Sequence, residues 1–491
     1  MAKNVGSLSR RNLLKKSAAA VAGGGAATLL GVEARLVGQG GQAAQAPAVL
    51  RGAQTGRRFR AALGGARNIA IEELQLLPIQ DKHVVIRTEA SAPCYTMVLG
   101  GIGGTPSITP APNAGGGPGG GAPGAPGGGG RGGGAPGGAG AAGAPPSPGI
   151  ANHTFVGIVE AIGSSVKRVQ PGDRVIVGVT SYCGQCYQCL RGRADMCQFT
   201  FGIQGFPPFA QRADGTRIGA QLGIGGLSEI NVVLEEYTCP IFTSVPPAEL
   251  SLLGDTAATG FAAAMGLFQV EPGSDVVVLG AGAIGSSAVQ GARVMGAGQI
   301  IAVEPVKQRR DLALKLGATT VLDPNAEGDG LVEKIRELCK GPTDRLYAGG
   351  RSWDTVRRVD NRGADFTIEA VGRCGDRPKV EQPPDPTGIL PMQQAWQLTR
   401  RGGSLVYLGF GQVGNVSYPA SAFANNGRNV FAGQQGGLNM MRDLPRFVRL
   451  IERGQFNLKP LVTSTWKLDQ IKDALQVLSD RTEMCPVVLF S

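Results

Sequence analysis

The sequence predicts an α/β protein in which a β-rich region surrounds a doubly wound parallel sheet. Strand and helix patterns alternate from Ser274 to about Gly409, which is typical of parallel strands joined by crossover helices. The tail from Asp443 has the pattern helix, strand, helix, strand. Alternation of apolar and polar residues indicates earlier strands at 82–87, 155–162 and 174–179.

Composition limits the classes of function. The chain has 491 residues, of which 42% are hydrophobic and 17% charged, enough for two or three domains with real cores. The formal charge is +11, but no block of Lys and Arg is interleaved with aromatic residues. Nucleic-acid binding is therefore not expected. Histidine chemistry has two candidates, His83 and His153.

The first 46 residues are predicted to be an export signal. Paired Arg10 and Arg11 precede a stretch of Ala and Gly that leads to Ala44-Gln45-Ala46, and this resembles a twin-arginine signal peptide. The stretch is too short and too rich in Gly to span a membrane. We expect the twin-arginine machinery to carry the folded protein to the periplasm or outside the cell. A basic disordered tail on a cytoplasmic enzyme is the alternative.

Two insertions interrupt the predicted elements. The segment 101–149 is almost entirely Gly, Ala and Pro, with Arg131 as its only charged residue. Such a composition cannot bury apolar surface and predicts a disordered loop. A second insertion lies near 341–362.

Four cysteines predict a structural metal site. They follow the spacing C-x2-C-x2-C-x7-C: Cys183, Cys186, Cys189 and Cys197. Four thiolates within one short segment suit tetrahedral zinc with no open position, which is a structural role. A pair of disulfides formed after export is the alternative, but three cysteines at x2 spacing pair awkwardly.

A glycine-rich turn predicts a dinucleotide site. The motif Gly280-Ala281-Gly282-Ala283-Ile284-Gly285 follows an apolar run and opens a helix, so Gly280, Gly282, Ile284 and Gly285 are assigned to the cofactor. Glu304 ends the next apolar run and would accept hydrogen bonds from ribose hydroxyls. An acidic group there repels a 2′-phosphate, which favours NAD over NADP, although Arg309 and Arg310 keep NADP open.

The sequence from about residue 59 onward resembles the zinc-containing medium-chain alcohol dehydrogenases. The resemblance rests on segments with the residues Ala92-Pro93-Cys94-Tyr95-Thr96, Asn152-His153-Thr154, Pro171-Gly172-Asp173-Arg174-Val175 and Leu252-Leu253-Gly254-Asp255, together with the two motifs above. It implies a GroES-like catalytic domain at 57–255 and 435–491, and a Rossmann NAD-binding domain at 256–434. Without this resemblance to the family, Cys94 could equally be a core thiol, His153 a capping His and Asp255 a helix N-cap.

The resemblance also implies a catalytic zinc held by Cys94, His153 and Asp255, giving two zinc ions per chain. Thr96 matches the residue that relays the alcohol proton, and Thr259 matches a Thr beside the nicotinamide. The expected function is hydride transfer between an alcohol or aldehyde and NAD. Relatives of this kind are commonly dimers or tetramers, so a homo-oligomer is expected.

Two departures from the family pattern favour a different function. Thr154 replaces a Glu, and Met97 replaces an Asp, and carboxylates at these places normally orient a ligating His. The alternative is therefore a non-catalytic zinc- and nucleotide-binding protein that retains the dehydrogenase fold.

Overall fold

The computed structural model describes six stretches of the chain: residues 55–98, 149–199, 206–341, 360–372, 387–410 and 414–490. The predicted export signal at 1–46 lies outside the described residues. The same holds for 101–148 of the Gly-rich insertion and for 342–359 of the second insertion. Those three predictions stay predictions.

A six-stranded parallel sheet occupies the middle of the chain. Its strands are β10 (Asp275–Leu279), β11 (Gln299–Val303), β12 (Thr320–Leu322), β13 (Ala364–Glu369), β14 (Thr399–Tyr407) and β15 (Asn429–Phe431). All neighbours are parallel, in the order β12-β11-β10-β13-β14-β15. Numbered from β10, this is 3-2-1-4-5-6, the order of doubly wound dinucleotide-binding sheets. The predicted parallel sheet is confirmed.

Two antiparallel-rich sheets form the rest of the described chain. A seven-stranded sheet contains β3 (His83–Ser91), β4 (Phe155–Ile162), β5 (Arg174–Val177), β8 (Ile230–Leu234), β9 (Thr238–Pro240), β16 (Val462–Lys467) and β17 (Cys485–Leu489). A four-stranded sheet contains β1 (Arg58–Leu63), β2 (Ala70–Leu76), β6 (Ala210–Gln211) and β7 (Arg217–Ile218). Strands from both ends of the chain thus share one sheet, because β17 pairs with β3.

The helices described by the structure lie mainly between the parallel strands and near the C-terminus. They are α1 (Tyr187–Leu190), α2 (Pro247–Leu250), α3 (Thr256–Ala262), α4 (Ala283–Val294), α5 (Lys307–Leu316), α6 (Pro324–Glu327), α7 (Leu331–Leu338), α8 (Ile389–Leu398), α9 (Ala420–Asn425), α10 (Met440–Glu452) and α11 (Ile471–Ser479). None of them is long and apolar enough to cross a membrane.

The largest core joins the two kinds of sheet. It contains residues of β10 and β13 together with residues of α3, α4 and α10. At its centre, Phe261 on α3 stacks on Phe456 with ring centroids 4.0 Å apart, and Phe447 meets Phe261 edge-on at 4.9 Å. Burying three aromatic rings contributes several kcal/mol and fixes α3 against the C-terminal region.

One helix begins earlier than the sequence pattern indicates. The pattern predicts a helix from Leu444, but α10 starts at Met440. The reason is a cap, because the side-chain oxygen of Asn439 accepts a hydrogen bond from the backbone N–H of Arg442.

Candidate metal and cofactor sites

Three residues distant in sequence meet at one place in the described chain. One ligand atom each from Cys94, His153 and Asp255 lies within 4.8 Å of the other two. His153 Nε2 and Asp255 Oδ2 are 3.1 Å apart. A thiolate, an imidazole and a carboxylate form a donor set that zinc accepts, and three protein ligands leave a fourth position open. This is the three-residue site.

Strand pairing explains why the first two residues meet. Cys94 follows the end of β3, and His153 precedes the start of β4. The two strands are antiparallel, and Ala90 pairs with Val156 near that end. The loop after β3 therefore lies beside the loop before β4.

Asn152 ties those two loops together. Its side-chain oxygen accepts from the backbone N–H of Cys94 at 3.2 Å, and its amide nitrogen donates to Ser91 Oγ and to the carbonyl oxygen of Ala92. Asn152 is fully buried and has φ +76°, a conformation that Asn tolerates better than most residues. It thus combines a left-handed backbone conformation with side-chain hydrogen bonds that Gly could not make.

Asp255 reaches the site through close backbone packing. It lies between a 3-10 turn at Ser251–Gly254 and the start of α3. A Cβ atom at Gly254 would lie 2.0 Å from Thr154 Oγ1 and 2.4 Å from the carbonyl oxygen of Val177. Only glycine lets this turn approach the strands closely enough to bring Asp255 to His153.

The two departures from the family pattern have other partners. The Thr154 hydroxyl lies 3.3 Å from the carbonyl oxygens of Val177 and Ser251. Met97 packs against an apolar cluster that includes Leu475 and Val488. Both side chains therefore serve packing or backbone hydrogen bonding.

The electrostatics of the three-residue site favour a cation. Burial raises the pKa of the Cys94 thiol, and the Asp255 carboxylate adds to that effect. Burial acts to raise the pKa of Asp255, but His153 lowers it overall. Burial alone lowers the pKa of His153, yet Cys94 and Asp255 raise it to about 10. Acidic groups concentrated in a buried place stabilise positive charge between them.

One cavity extends from Cys94 of this site to the glycine-rich turn. It has a volume of about 690 Å³, and its walls include Cys94, Thr96, Gly280, Gly282 and Glu304. Ile284 also lines it, as do Ala370 and Val371 after β13. The carboxyl ends of β10 and β13 border the cavity, which is where the strand order reverses and doubly wound sheets bind nucleotides.

The local backbone fits a dinucleotide. Gly280 has φ +84°, and a Cβ atom at Gly285 would lie 1.8 Å from the carbonyl oxygen of Gly280. These glycines allow the tight turn from β10 into α4. Among the described residues that line the cavity, Thr256 Oγ1 and Glu483 Oε2 are buried without a hydrogen-bond partner. Unpaired buried polar atoms are costly, and a bound ligand would satisfy them.

Glu304 is held tightly at the cavity wall. It is 3% exposed, its Oε2 accepts from the backbone N–H of Ala281 at 2.7 Å, and its Oε1 accepts from Val306 at 3.0 Å. The carboxylate thus also fixes the glycine-rich turn, a role that the sequence analysis did not anticipate.

Cationic side chains and a second threonine complete the wall. Arg309 and Arg481 line the cavity, and the Arg481 guanidinium lies 5.0 Å over the ring of Tyr95. Thr259, expected beside the nicotinamide, is 5% exposed, and its hydroxyl donates to the carbonyl oxygen of Asp255. On α3, the threonine that lines the cavity is Thr256 and not Thr259.

The four-Cys lobe, residues 183–197, gathers its thiols within a short segment. The four sulfur atoms lie within 4.8 Å of one another, close to the separation of about 3.8 Å expected for sulfurs around tetrahedral zinc. Although burial opposes it, hydrogen bonds from the backbone N–H groups of Cys189 and Gln198 lower the pKa of Cys186 to about 6. Such N–H donors stabilise a thiolate, the form that binds zinc.

The predicted residues therefore form two candidate metal-binding clusters and one candidate cofactor turn. Cys94, His153 and Asp255 meet, as do the four cysteines, and Gly280, Gly282, Ile284 and Glu304 share a cavity with Thr96. Sequence reasoning alone does not single out Asn152, Thr256 or Gln435 as part of the site. The side-chain nitrogen of Gln435 donates to Asp255 Oδ1 at 3.1 Å. The available signal at Asn152 is its residue type, since Asn tolerates positive φ and carries both a donor and an acceptor.

Two regions of the chain match family models of known proteins. Residues 135–243 match the alcohol dehydrogenase GroES-like domain, and residues 283–376 match the zinc-binding dehydrogenase domain. An S-(hydroxymethyl)glutathione dehydrogenase of Haemophilus influenzae is 28% identical over 347 residues, which covers 70% of this chain and 82% of that protein.

Solved structures share the fold. The benzyl alcohol dehydrogenase of Acinetobacter calcoaceticus has a TM-score of 0.65 at 23% identity, covering 89% of this chain and 100% of that one. An alcohol dehydrogenase zinc-binding domain protein of Burkholderia ambifaria has a TM-score of 0.67 at 22% identity, with coverage of 89% and 99%. The predicted combination of a GroES-like region and a Rossmann sheet is confirmed. The two matched domains and the dehydrogenase relatives support the zinc-containing medium-chain alcohol dehydrogenase family for this chain.

Proposed function

We propose that the protein is a zinc-dependent dehydrogenase that transfers a hydride between an alcohol or aldehyde and NAD. The observation that carries the proposal is the shared cavity. Its walls include Cys94 and Thr96 at one end and Gly280, Gly282 and Glu304 at the other. A substrate oxygen beside Cys94 would therefore lie in the same cavity as a nicotinamide cofactor bound at the glycine-rich turn.

Cys94, His153 and Asp255 are the proposed catalytic zinc ligands. Zinc bound there would act as a Lewis acid toward the substrate oxygen, and a bound nicotinamide would accept the hydride. Oxidation removes a hydride from carbon and a proton from oxygen. Thr96 lines the same cavity as Cys94, so its hydroxyl is placed to relay that proton: it would accept the proton from the substrate oxygen while giving up its own hydrogen to solvent.

NAD is proposed as the cofactor. The buried Glu304 carboxylate is anchored by two backbone N–H groups, so it cannot easily swing away from the cavity. A 2′-phosphate on the ribose would meet this negative charge, whereas ribose hydroxyls can donate to it. Arg309 on the same wall is the group that would serve NADP instead.

The remaining parts of the proposal concern metal count, location and assembly. A second zinc in the four-Cys lobe would be structural, giving two per chain. From the sequence alone, we also propose that the twin-arginine machinery exports the folded protein to the periplasm or outside the cell. We further propose that the protein forms a homo-oligomer.

A second candidate is a zinc- and nucleotide-binding protein without catalysis. The observation that favours it is the absence of a carboxylate at Thr154 and Met97, whose side chains have backbone or apolar partners. In this case the lobe would hold zinc and the three-residue site would not.

Zinc content and hydride transfer separate the two candidates. We expect the purified full chain to carry two zinc ions by elemental mass spectrometry and to reduce NAD with benzyl alcohol or 1-hexanol. Cys94→Ser should lose one zinc and lower kcat/KM by about 10²–10⁴-fold, since a Lewis-acid metal supplies several kcal/mol.

Cys339→Ser is the matched control, because Cys339 is buried in a separate apolar cluster against the parallel sheet. It should keep both zinc ions and full activity. The non-catalytic candidate would be favoured by three results together: the unmodified chain carries one zinc, Cys94→Ser carries the same amount, and the unmodified chain does not reduce NAD.

A further inference from the structure

Gln435 is a buried side chain beside the three-residue site that the proposed mechanism does not use. It lies in a 3-10 turn at Gln434–Gly437, is 8% exposed and has φ +47°. A Cβ atom at the next residue, Gly436, would lie 2.3 Å from the carbonyl oxygen of Thr259. The turn is thus packed directly onto the backbone of α3, the helix that follows Asp255.

The Gln435 amide uses its full hydrogen-bonding capacity. Its nitrogen donates to the carbonyl oxygen of Gly254 at 2.9 Å and to Asp255 Oδ1 at 3.1 Å. Its oxygen accepts from the backbone N–H of Thr180 at 3.2 Å and from the Thr180 hydroxyl. Two donors and two accepted bonds are what one primary amide can make.

These partners determine which way the amide faces. The carbonyl of Gly254 and the carboxylate of Asp255 only accept hydrogen bonds, and the backbone N–H of Thr180 only donates. Exchanging the amide oxygen and nitrogen would place acceptor against acceptor on one side and donor against donor on the other. The nitrogen must therefore face Asp255.

The two oxygens of Asp255 have different partners as a result. Oδ1 accepts from Gln435, and Oδ2 faces His153 Nε2 at 3.1 Å. A neutral amide donor holds the carboxylate without adding a charge. Outer hydrogen bonds of this kind orient metal ligands and tune metal affinity.

We propose that Gln435 is a positioning residue that presents Asp255 to the metal through Oδ2 alone. This inference rests on the proposed function, because it takes the three-residue site to hold zinc. Thr180 precedes the four-Cys lobe in sequence, so the amide also connects the approach to that lobe with Asp255.

Zinc affinity tests the inference without relying on activity. In the purified full chain, Gln435→Met removes the donor and keeps a side chain of similar length. We expect its three-residue site to bind zinc about 10- to 100-fold more weakly in competition with the chelator 4-(2-pyridylazo)resorcinol. After cobalt exchange, its visible spectrum should also shift. Gln435→Glu should weaken zinc similarly, since a carboxylate would face Asp255.

Gln290→Met is the matched control. Gln290 is a fully buried amide on α4 whose oxygen accepts from the backbone N–H of Asn457 at 2.7 Å and whose nitrogen donates to its carbonyl at 3.1 Å. It joins two segments as Gln435 does, but both of its hydrogen bonds go to the Asn457 backbone and not to the three-residue site. This variant should keep the zinc affinity of the unmodified chain.

Two outcomes would have different meanings. Unchanged zinc affinity and cobalt spectrum in Gln435→Met would overturn the positioning role alone. A zinc content that Cys94→Ser leaves unaltered would instead overturn the proposed function. If the Gln435 variants fail to fold, Thr180→Val removes one anchor of the amide and should weaken zinc several-fold; unaltered affinity there would overturn the positioning role.

Discussion

The two candidate metal-binding clusters of this protein differ in how their side chains are brought together. The four-Cys lobe takes all four thiols from residues 183–197, whereas the three-residue site collects Cys94, His153 and Asp255 from separate parts of the chain. Backbone N–H groups of the lobe itself stabilise the Cys186 thiolate. The three-residue site instead depends on Asn152, Gly254 and Gln435. Local spacing builds the first cluster, and tertiary packing builds the second.

Because of this difference, we expect substitutions in the two clusters to have different effects on stability and on metal binding. Loss of a thiol from the lobe should remove the proposed zinc, which would order a short segment with little apolar core, so stability should fall. Loss of precision in the three-residue site should leave the fold intact, because β3, β4 and α3 remain held by their own sheets and core.

The largest expected effect on stability is that of Cys186→Ser. Its thiol sits among three others and accepts a hydrogen bond from the backbone N–H of Cys189 at 3.5 Å. We expect the lobe zinc to be lost and the free energy of unfolding to fall by roughly 4 kcal/mol, the stabilisation given by a ligand present at a thousand times its Kd. Thermal unfolding with and without added zinc measures this change.

Activity per folded molecule should change little in Cys186→Ser. Cys239→Ser serves as control, because Cys239 is a fully buried thiol outside both clusters. If Cys186→Ser instead has normal stability and no activity, the lobe serves catalysis. The two clusters would then not differ as a structural and a catalytic site.

Gly254→Ala should have a smaller effect on stability and a selective effect on the three-residue site. The added Cβ would lie 2.0 Å from Thr154 Oγ1, so the turn before Asp255 must move outward. Overpacking of this kind costs about 1–3 kcal/mol. We expect weaker zinc binding at the three-residue site and an unchanged lobe, measured by metal content after mild chelation.

Gly330→Ala is a suitable comparison for that variant, since a Cβ there meets nothing within 4 Å. It should behave like the unmodified protein. Equal zinc retention in Gly254→Ala and Gly330→Ala would mean that close packing at Gly254 does not control the distance between Asp255 and His153.

The same contrast explains what the sequence could predict. The lobe and the glycine-rich turn follow from short spacings, and the parallel sheet follows from alternating strand and helix patterns. The grouping of Cys94, His153 and Asp255 came only from resemblance, because no spacing rule connects residues so far apart. Gln435 carries no local signal at all, since its role depends on a left-handed turn and on Thr180 reaching it from another segment.

Glu304 shows that a sequence motif can indicate where a residue lies without indicating all of its contacts. Its position after β11 follows from the motif, but its hydrogen bonds to Ala281 and Val306 appear only in three dimensions. Removing the carboxylate therefore removes a proposed ribose acceptor and also leaves two backbone N–H groups without this partner. A modest loss of about 1–3 kcal/mol should accompany any change in cofactor choice.

The smallest expected effect is the change of cofactor preference in Glu304→Ala. Without negative charge at this wall, a 2′-phosphate is no longer repelled and Arg309 can attract it, so the ratio of kcat/KM for NADP over NAD should rise about 10-fold, or roughly 1.4 kcal/mol. Asp311→Asn makes the same change in net charge on the exposed face of α5 and should leave the ratio unaltered. Equal NADP-to-NAD ratios in both variants would mean that Glu304 acts only by holding the glycine-rich turn in place. The cofactor end of the cavity would then depend on packing, as the three-residue site does, and not on the charge of Glu304.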